Sequence, residues 1–275
     1  QKPAVLRFSI KINPEIILLR ARARGCKMSL EALMRILILT AMEEETLPVV
    51  AKLGNVLADE VVSGVKIKQI VTPDHTIYLA TSGIGEIRAA LAVQLAVDLF
   101  DIEAVLNFGY VGSLDKTLKV GELVIVERAV HHQFDITAVN NIPLGVYDGK
   151  TTPYFYTDKE LAERIQNKLP APLRRVTAAS GDKFVADSET KEFLRDTFFA
   201  DICEMEIAGI CLAAERNDIP VFSMKVVSDC ADEDATESFG EVLEKGLSKY
   251  EKVLPEILSA LSAIPSRSKP PVRIN

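Results

Sequence analysis

Three carboxylates fall in separate segments of this 275-residue chain, each beside a short apolar run. They are Glu45 in Thr40-Ala-Met-Glu-Glu-Glu45, Glu206 in Cys203-Glu-Met-Glu206 and Asp229 in Lys225-Val-Val-Ser-Asp229. In an open α/β sheet, ligands sit outside the carboxyl ends of the strands, so acids placed there converge on one crevice. Histidine is scarce, with only His75, His131 and His132. Carboxylate acid/base chemistry is therefore the chemistry these residues offer, and three acids with little else point toward cleavage of a bond to a sugar.

Each acid also has a plainer reading. Glu43-Glu-Glu45 opens a helix, where acids complement the dipole. Glu204 and Glu206 are two residues apart and share a face if extended, but their neighbours Cys203, Met205 and Ile207 argue against a solvated face. Asp229, at the end of the apolar run Val221–Val227, is the best candidate, since partial desolvation would keep a proton on it. Ser82-Gly-Ile-Gly85 lies between a strand and a helix, where backbone N–H groups can approach a ligand oxygen; a simple strand-to-helix turn is the stronger reading. No full GxGxxG pattern and no Walker-type lysine follow, which disfavours dinucleotide and NTP binding. Phe184, in Ser180-Gly-Asp-Lys-Phe184, is either a core residue or a stacking platform for a flat ligand.

The elements that position these residues alternate. Strands are expected at Arg35–Thr40, Val65–Val71, Ile77–Thr81, Ala104–Phe108, Glu122–Ala129, Arg175–Ser180 and Val221–Val227. Helices are expected at Glu43–Leu53, Glu86–Phe100, Asp158–Leu169, Glu189–Thr197, Ile207–Arg216 and Phe239–Leu261, the last with Leu243, Leu247, Tyr250, Leu254, Ile257 and Leu261 on one stripe. Gly109-Tyr-Val-Gly112 reads as a turn and residues 138–153 as a long loop. The alternation predicts a single α/β domain with a mixed, mostly parallel central sheet flanked by helices.

Composition narrows the function. A net charge of −7 with 48% hydrophobic residues gives no basic surface for nucleic acid. No apolar run approaches the roughly 20 residues of a membrane-spanning helix. Cys26, Cys203, Cys211 and Cys230 form no CxxC pair, so they read as reduced thiols of a cytoplasmic protein, with no metal site. Residues 1–33 carry a net charge of +5. They read as an extension outside the fold with Met28 or Met34 as the natural start, the alternative being a targeting segment. The folded domain is expected over 34–263, followed by a loose tail over 264–275.

Taken in order, Ala41-Met-Glu-Glu-Glu45, Ser82-Gly-Ile-Gly85, Asn107-Phe-Gly109…Gly112, Leu118-Lys-Val-Gly-Glu122, Asp135-Ile-Thr137, Ser180-Gly-Asp-Lys-Phe184, Glu204-Met-Glu206, Ser228-Asp229 and Ser238-Phe239 resemble the 5′-methylthioadenosine/S-adenosylhomocysteine nucleosidases of the nucleoside phosphorylase superfamily. The resemblance covers about Met34 to Leu261. It implies hydrolysis of the bond between adenine and a 5′-thioribose, without a cofactor. It implies that Glu45 activates the water, Asp229 protonates adenine N7 with Ser228 orienting it, and Glu206 holds the ribose hydroxyls. Met205 and Ser82 would meet the ribose, Phe184 would stack on adenine, Val185 would read the adenine edge through its backbone, and Met42 and Phe239 would line the 5′-alkylthio pocket. A homodimer is implied too.

The chain departs from the family pattern at Tyr110-Val111, at Lys183 and at Lys225, where an arginine is common. A purine nucleoside phosphorylase would need arginines to clamp phosphate. Phe108 and the absence of any arginine before Arg88 in the Ser82–Gly85 region favour water instead. A futalosine-type hydrolase differs mainly in the 5′ substituent, and a nucleoside-binding or storage protein would not need all three acids.

Overall fold

In this computed structural model, residues 33–139 and 141–261 are described. The tail, and the basic arm up to residue 32, lie outside them. Met34–Thr40 (β1) is apolar at nearly every position and covered on both faces, as a central strand must be. It pairs in parallel with His75–Thr81 (β4) on one side and Ala104–Ser113 (β5) on the other. β5 in turn lies parallel to Val221–Asp229 (β10). Val56–Val62 (β2) and Val65–Val71 (β3) form an antiparallel hairpin that continues the sheet beyond β4. Ser63 and Gly64 turn that hairpin at φ 50° and 84°, a left-handed pair suited to a tight turn.

On its other side the sheet closes on itself. β10 runs antiparallel to Leu123–His131 (β6), which is parallel to Arg174–Ser180 (β8), which is parallel to Ile202–Glu204 (β9). β9 then meets the end of β5 in a short antiparallel ladder, Gly112 opposite Cys203 and Ser113 opposite Ile202. Tyr154–Tyr156 (β7) adds to the edge of β6. The short β5–β9 ladder has a consequence for the site: oppositely directed strands meet there tip over tip. The carboxyl ends of β1, β5, β8, β9 and β10 therefore gather at one end of the ring.

The helices cover this sheet: Glu43–Leu53 (α1), Glu86–Phe100 (α2), Lys159–Gln166 (α3), Ser188–Phe198 (α4), Ile207–Arg216 (α5) and Ala235–Leu261 (α6). α2 buries Ala89, Ala92, Val93, Ala96 and Val97, and α5 buries Ile207, Ala208, Gly209 and Ile210; the small residues let the two helices approach closely. Asp158 and Asp187 cap α3 and α4 by accepting the N–H of Leu161 and Thr190 at 2.7 Å each. Of the stripe expected on α6, Leu254, Ile257 and Leu261 are buried; the side chains of Leu243, Leu247 and Tyr250 lie outside those described. No helix among the described residues is long and apolar enough to cross a membrane.

The single α/β domain expected from the alternation is the observed fold. One expectation fails within it: residues 109–112 are strand, the second half of β5, with every residue buried. β2, β7 and β9 also go beyond the expected elements. β2 carries Asp59 and Glu60 and is largely exposed at the sheet edge, and the other two are only three residues long, so none shows a two-residue apolar period.

Candidate active site

At the gathered strand tips lies an open-mouthed cavity of about 190 Å³. Glu45, Glu206 and Asp229 all line it, as do Met42, Phe184, Val185, Met205, Ser228 and Phe239. Of the residues singled out from sequence only Ser82 stands outside this wall. Its hydroxyl lies 2.8 Å from the Gly83 carbonyl and 3.2 Å from that of Thr40.

Glu45 reaches the cavity because β1 runs straight into α1. Its neighbours Glu43 and Glu44 are exposed, Glu43 pairing with Lys66, whereas Glu45 is only 3% exposed and points inward. One carboxylate oxygen accepts the N–H of Ala41 at 2.9 Å and of Met42 at 3.0 Å; the other accepts the N–H of Tyr110 at 3.2 Å. Burial raises its pKa, while these N–H groups and the Lys225 ammonium pull in the opposite direction. The result is a desolvated carboxylate with a fixed orientation, suited to accepting a proton from water.

Asp229 ends β10 after an irregularity in its pairing with β5. Its Oδ1 accepts the Ala231 N–H at 2.8 Å and its Oδ2 lies 2.7 Å from the Ser228 hydroxyl. Burial raises its pKa above the ordinary aspartate value. Glu206 precedes α5, and its Oε1 accepts the N–H of Gly85 at 3.1 Å. Burial and the neighbouring Glu204 push its carboxyl up to about 7. The Glu86 N–H is in turn taken by Asp182 at 2.8 Å. Both N–H groups at the start of α2 thus serve protein carboxylates, which favours the simple-turn reading of Ser82–Gly85.

Beneath these groups lies Lys225, 1% exposed, with its ammonium 3.0 Å from Glu204 Oε2. Burial alone would lower its pKa, but Glu204, Glu206 and Glu45 outweigh that and raise it. A lysine inside an otherwise apolar strand run is the sequence signal for this charge, and Glu204 is the acid it pairs with. Tyr110, expected on a turn, lines the cavity instead, its ring 5.8 Å from Phe239 and edge-on. Phe239 is likewise edge-on to Phe184 at 6.2 Å. Phe184 is 44% exposed at the mouth, so it is a wall residue and not core.

The glycines of β5 have a steric reason. A Cβ on Gly109 would lie 3.2 Å from Glu45 Oε1 and 3.3 Å from Lys225 Nζ. One on Gly112 would lie 2.9 Å from Asp229 Oδ1 and 3.0 Å from Cys203 Sγ. Gly112→Ala is expected to displace Asp229 and lower kcat/KM by about two orders of magnitude, with the fold kept; steady-state kinetics alongside circular dichroism check this.

Glu86 and Glu206 give stability an unusual pH dependence. Their folded-state values of about 8 and about 7 exceed the ordinary glutamate value of 4.5, so the folded chain holds protons that the unfolded chain releases. Their contribution is fully present below the unfolded value and is lost as pH rises through the folded ones. The melting temperature is expected to fall by several degrees between about pH 5 and about pH 8.5, a trend measurable by scanning calorimetry and weakened in Glu86→Gln.

Residues 35–259 match the model of the phosphorylase superfamily. An aminodeoxyfutalosine nucleosidase of Helicobacter pylori strain J99 is 32% identical over 227 residues, covering 82% of this chain and 98% of its own. A 5′-methylthioadenosine/S-adenosylhomocysteine nucleosidase of Bacillus cereus strain B4264 is 28% identical over 235 residues, 83% of this chain and 100% of its own. The solved futalosine hydrolase of Helicobacter pylori strain 26695 superposes with a TM-score of 0.79 at 30% identity, covering 83% of this chain and 99% of that one. With its strand-tip cavity and buried carboxylates, the chain belongs to the phosphorylase superfamily and, within it, to the hydrolytic nucleosidases that include methylthioadenosine/adenosylhomocysteine nucleosidases and futalosine hydrolases.

Proposed function

We propose that the chain hydrolyses the N-glycosidic bond of 5′-substituted adenosines, with 5′-methylthioadenosine and S-adenosylhomocysteine as substrates, releasing adenine and the 5′-thioribose. The observation that carries this reading is that Glu45, Glu206 and Asp229 line one cavity, each held differently. Cleavage passes through an oxocarbenium-like state in which charge grows on the ring and on the base. Asp229, whose carboxyl pKa is raised by burial above the ordinary aspartate value, gives a proton to adenine N7 as the bond from N9 to C1′ breaks. Glu45 takes a proton from the water whose oxygen bonds to C1′. Glu206 binds the ribose hydroxyls, and its charge stabilises the cationic ring more than the ground state. Ser228 orients Asp229, Phe184 stacks on adenine, the Val185 backbone reads its edge, and Met205 packs on the ribose. Ser82 contributes a polar contact once its hydroxyl turns from the Gly83 carbonyl.

Met42 and Phe239 supply an apolar wall for the 5′ substituent, with Tyr110 added to it. No arginine is among the residues lining the cavity, and Arg88 is exposed outside it, which favours water over a phosphate dianion. A second substrate is favoured by the similarity to the Helicobacter pylori aminodeoxyfutalosine nucleosidase. Ranking kcat/KM for methylthioadenosine, adenosylhomocysteine and aminodeoxyfutalosine, with inosine as control, decides between them; preference for aminodeoxyfutalosine by an order of magnitude or more would displace the thioether reading. We further infer a catalytic unit over 34–263 acting in the cytoplasm as a homodimer, in which one subunit closes the 5′ pocket of its partner; a monomeric mass by light scattering at assay concentration would refute the dimer.

A further inference from the structure

Glu86, in the first turn of α2, is buried but is not part of the cavity wall. Its Oε2 accepts the N–H of Gly209, and its Oε1 lies in hydrogen-bond contact with the Ser180 hydroxyl. A Cβ on Gly209 would lie 2.7 Å from Glu86 Oε2 and 2.5 Å from its carbonyl oxygen, so a glycine there is what admits the acid. The same Ser180 hydroxyl touches Glu204 Oε1 and accepts the Ala208 N–H at 3.1 Å. A serine hydroxyl has one proton and two lone pairs, so it cannot donate to two carboxylates at once.

The partners of Glu204 decide where that proton goes. Its oxygens accept the N–H of Glu206 at 3.1 Å, the N–H of Ile207 at 3.0 Å and the Lys225 ammonium at 3.0 Å. Every one of these is a donor, so Glu204 is the anion and the Ser180 hydroxyl donates to it. The remaining lone pair on Ser180 Oγ then needs a donor, and Glu86 is what faces it. We propose that Glu86 is a neutral carboxylic acid that donates its proton to Ser180 Oγ, fixing the hydroxyl on Glu204 and so holding the Glu204 carboxylate against Lys225 and the Glu206 backbone. Glu86 is thereby a positioning residue for the charged groups of the cavity. Lys225, held by Glu204, is the ammonium that favours the ionised form of Glu45.

Other elements face Glu86 with further groups: Glu206 beside Glu204, Asp182 after β8, Tyr147 from the loop before β7, and Cys211 on α5. Burial and Glu204 push its carboxyl up to about 8, consistent with a proton retained at neutral pH. Ionisation above that sets two anions on one hydroxyl and loosens Glu204 from its partners.

The effect on turnover rests on the nucleosidase reading; the proton itself does not. Infrared difference spectra of wild type minus Glu86→Gln are expected to show a protonated-carboxyl carbonyl band at neutral pH that fades as pH rises through about 8. Glu86→Gln retains most of the turnover, since its amide donates to Ser180 and its oxygen accepts from Gly209. Glu86→Leu, with no donor, is expected to lose between about tenfold and about a hundredfold in kcat with a smaller change in KM. No difference band, or wild-type kcat in Glu86→Leu, would overturn the proposal. A band in a wild type that releases no adenine would refute the nucleosidase reading and leave the proton assignment standing. Should Glu86→Leu not fold, the spectra of the other two proteins decide.

Discussion

Asp229→Asn is expected to bind a 5′-substituted adenosine and fail to release adenine, with kcat lowered by about 10² to 10⁴. The amide keeps the shape of the carboxyl. It can still accept the Ala231 N–H and still meet the Ser228 hydroxyl, so the end of β10 has no reason to move. What it loses is a proton of suitable acidity. The adenine anion is a poor leaving group, and donation to N7 relieves the negative charge that builds on the base as the bond stretches, so that adenine departs neutral. A substrate whose leaving group needs no protonation, such as a nitrophenyl riboside, should be cleaved by Asp229→Asn far better than the adenine nucleoside. Unchanged turnover of the nucleoside by this variant would remove Asp229 from the mechanism.

Glu45→Gln is expected to lower kcat by a similar factor of about 10² to 10⁴ while leaving substrate affinity close to normal. Two backbone N–H groups converge on one oxygen and that of Tyr110 on the other. A glutamine can satisfy the first pair through its carbonyl, but its amide then opposes the Tyr110 N–H, so a modest loss of stability accompanies the loss of base. Single-turnover measurements separate the two effects: slow chemistry with normal binding identifies Glu45 as the base, and normal chemistry places water activation elsewhere.

The elements that position the acids were legible because their sequences agree with their environments. β1 is apolar throughout and buried on both faces, and α5 begins and ends where its small and apolar residues predict. The end of β5 was not legible as strand. Gly109 and Gly112 look like turn residues, yet each is a glycine because a side chain from another element lies over it. That reason exists only in three dimensions. β9 is three residues long and is held by neighbours far away in sequence, so it has no local signature.

The site divides in the same way. Of the four acids lining the cavity, Glu45, Glu206 and Asp229 could be picked out because each stands beside an apolar run. Glu86 could not, since an acid in the first turn of a helix has a sufficient explanation in the helix dipole. Its burial against Ser180, Glu204 and Gly209 depends on the packing of α2 on α5. The significance of Lys225 likewise depends on Glu204 and Glu45 arriving from other elements.

Phosphate dependence of adenine release from methylthioadenosine tests the central claim most directly. Chromatography of the products with and without inorganic phosphate is expected to show adenine and the free 5′-thioribose at equal rates in both. Release only with phosphate, giving the ribosyl 1-phosphate, would contradict the account, because it would require an anion clamp where the cavity wall offers carboxylates, apolar groups and a single lysine, Lys183, that is paired with Asp187.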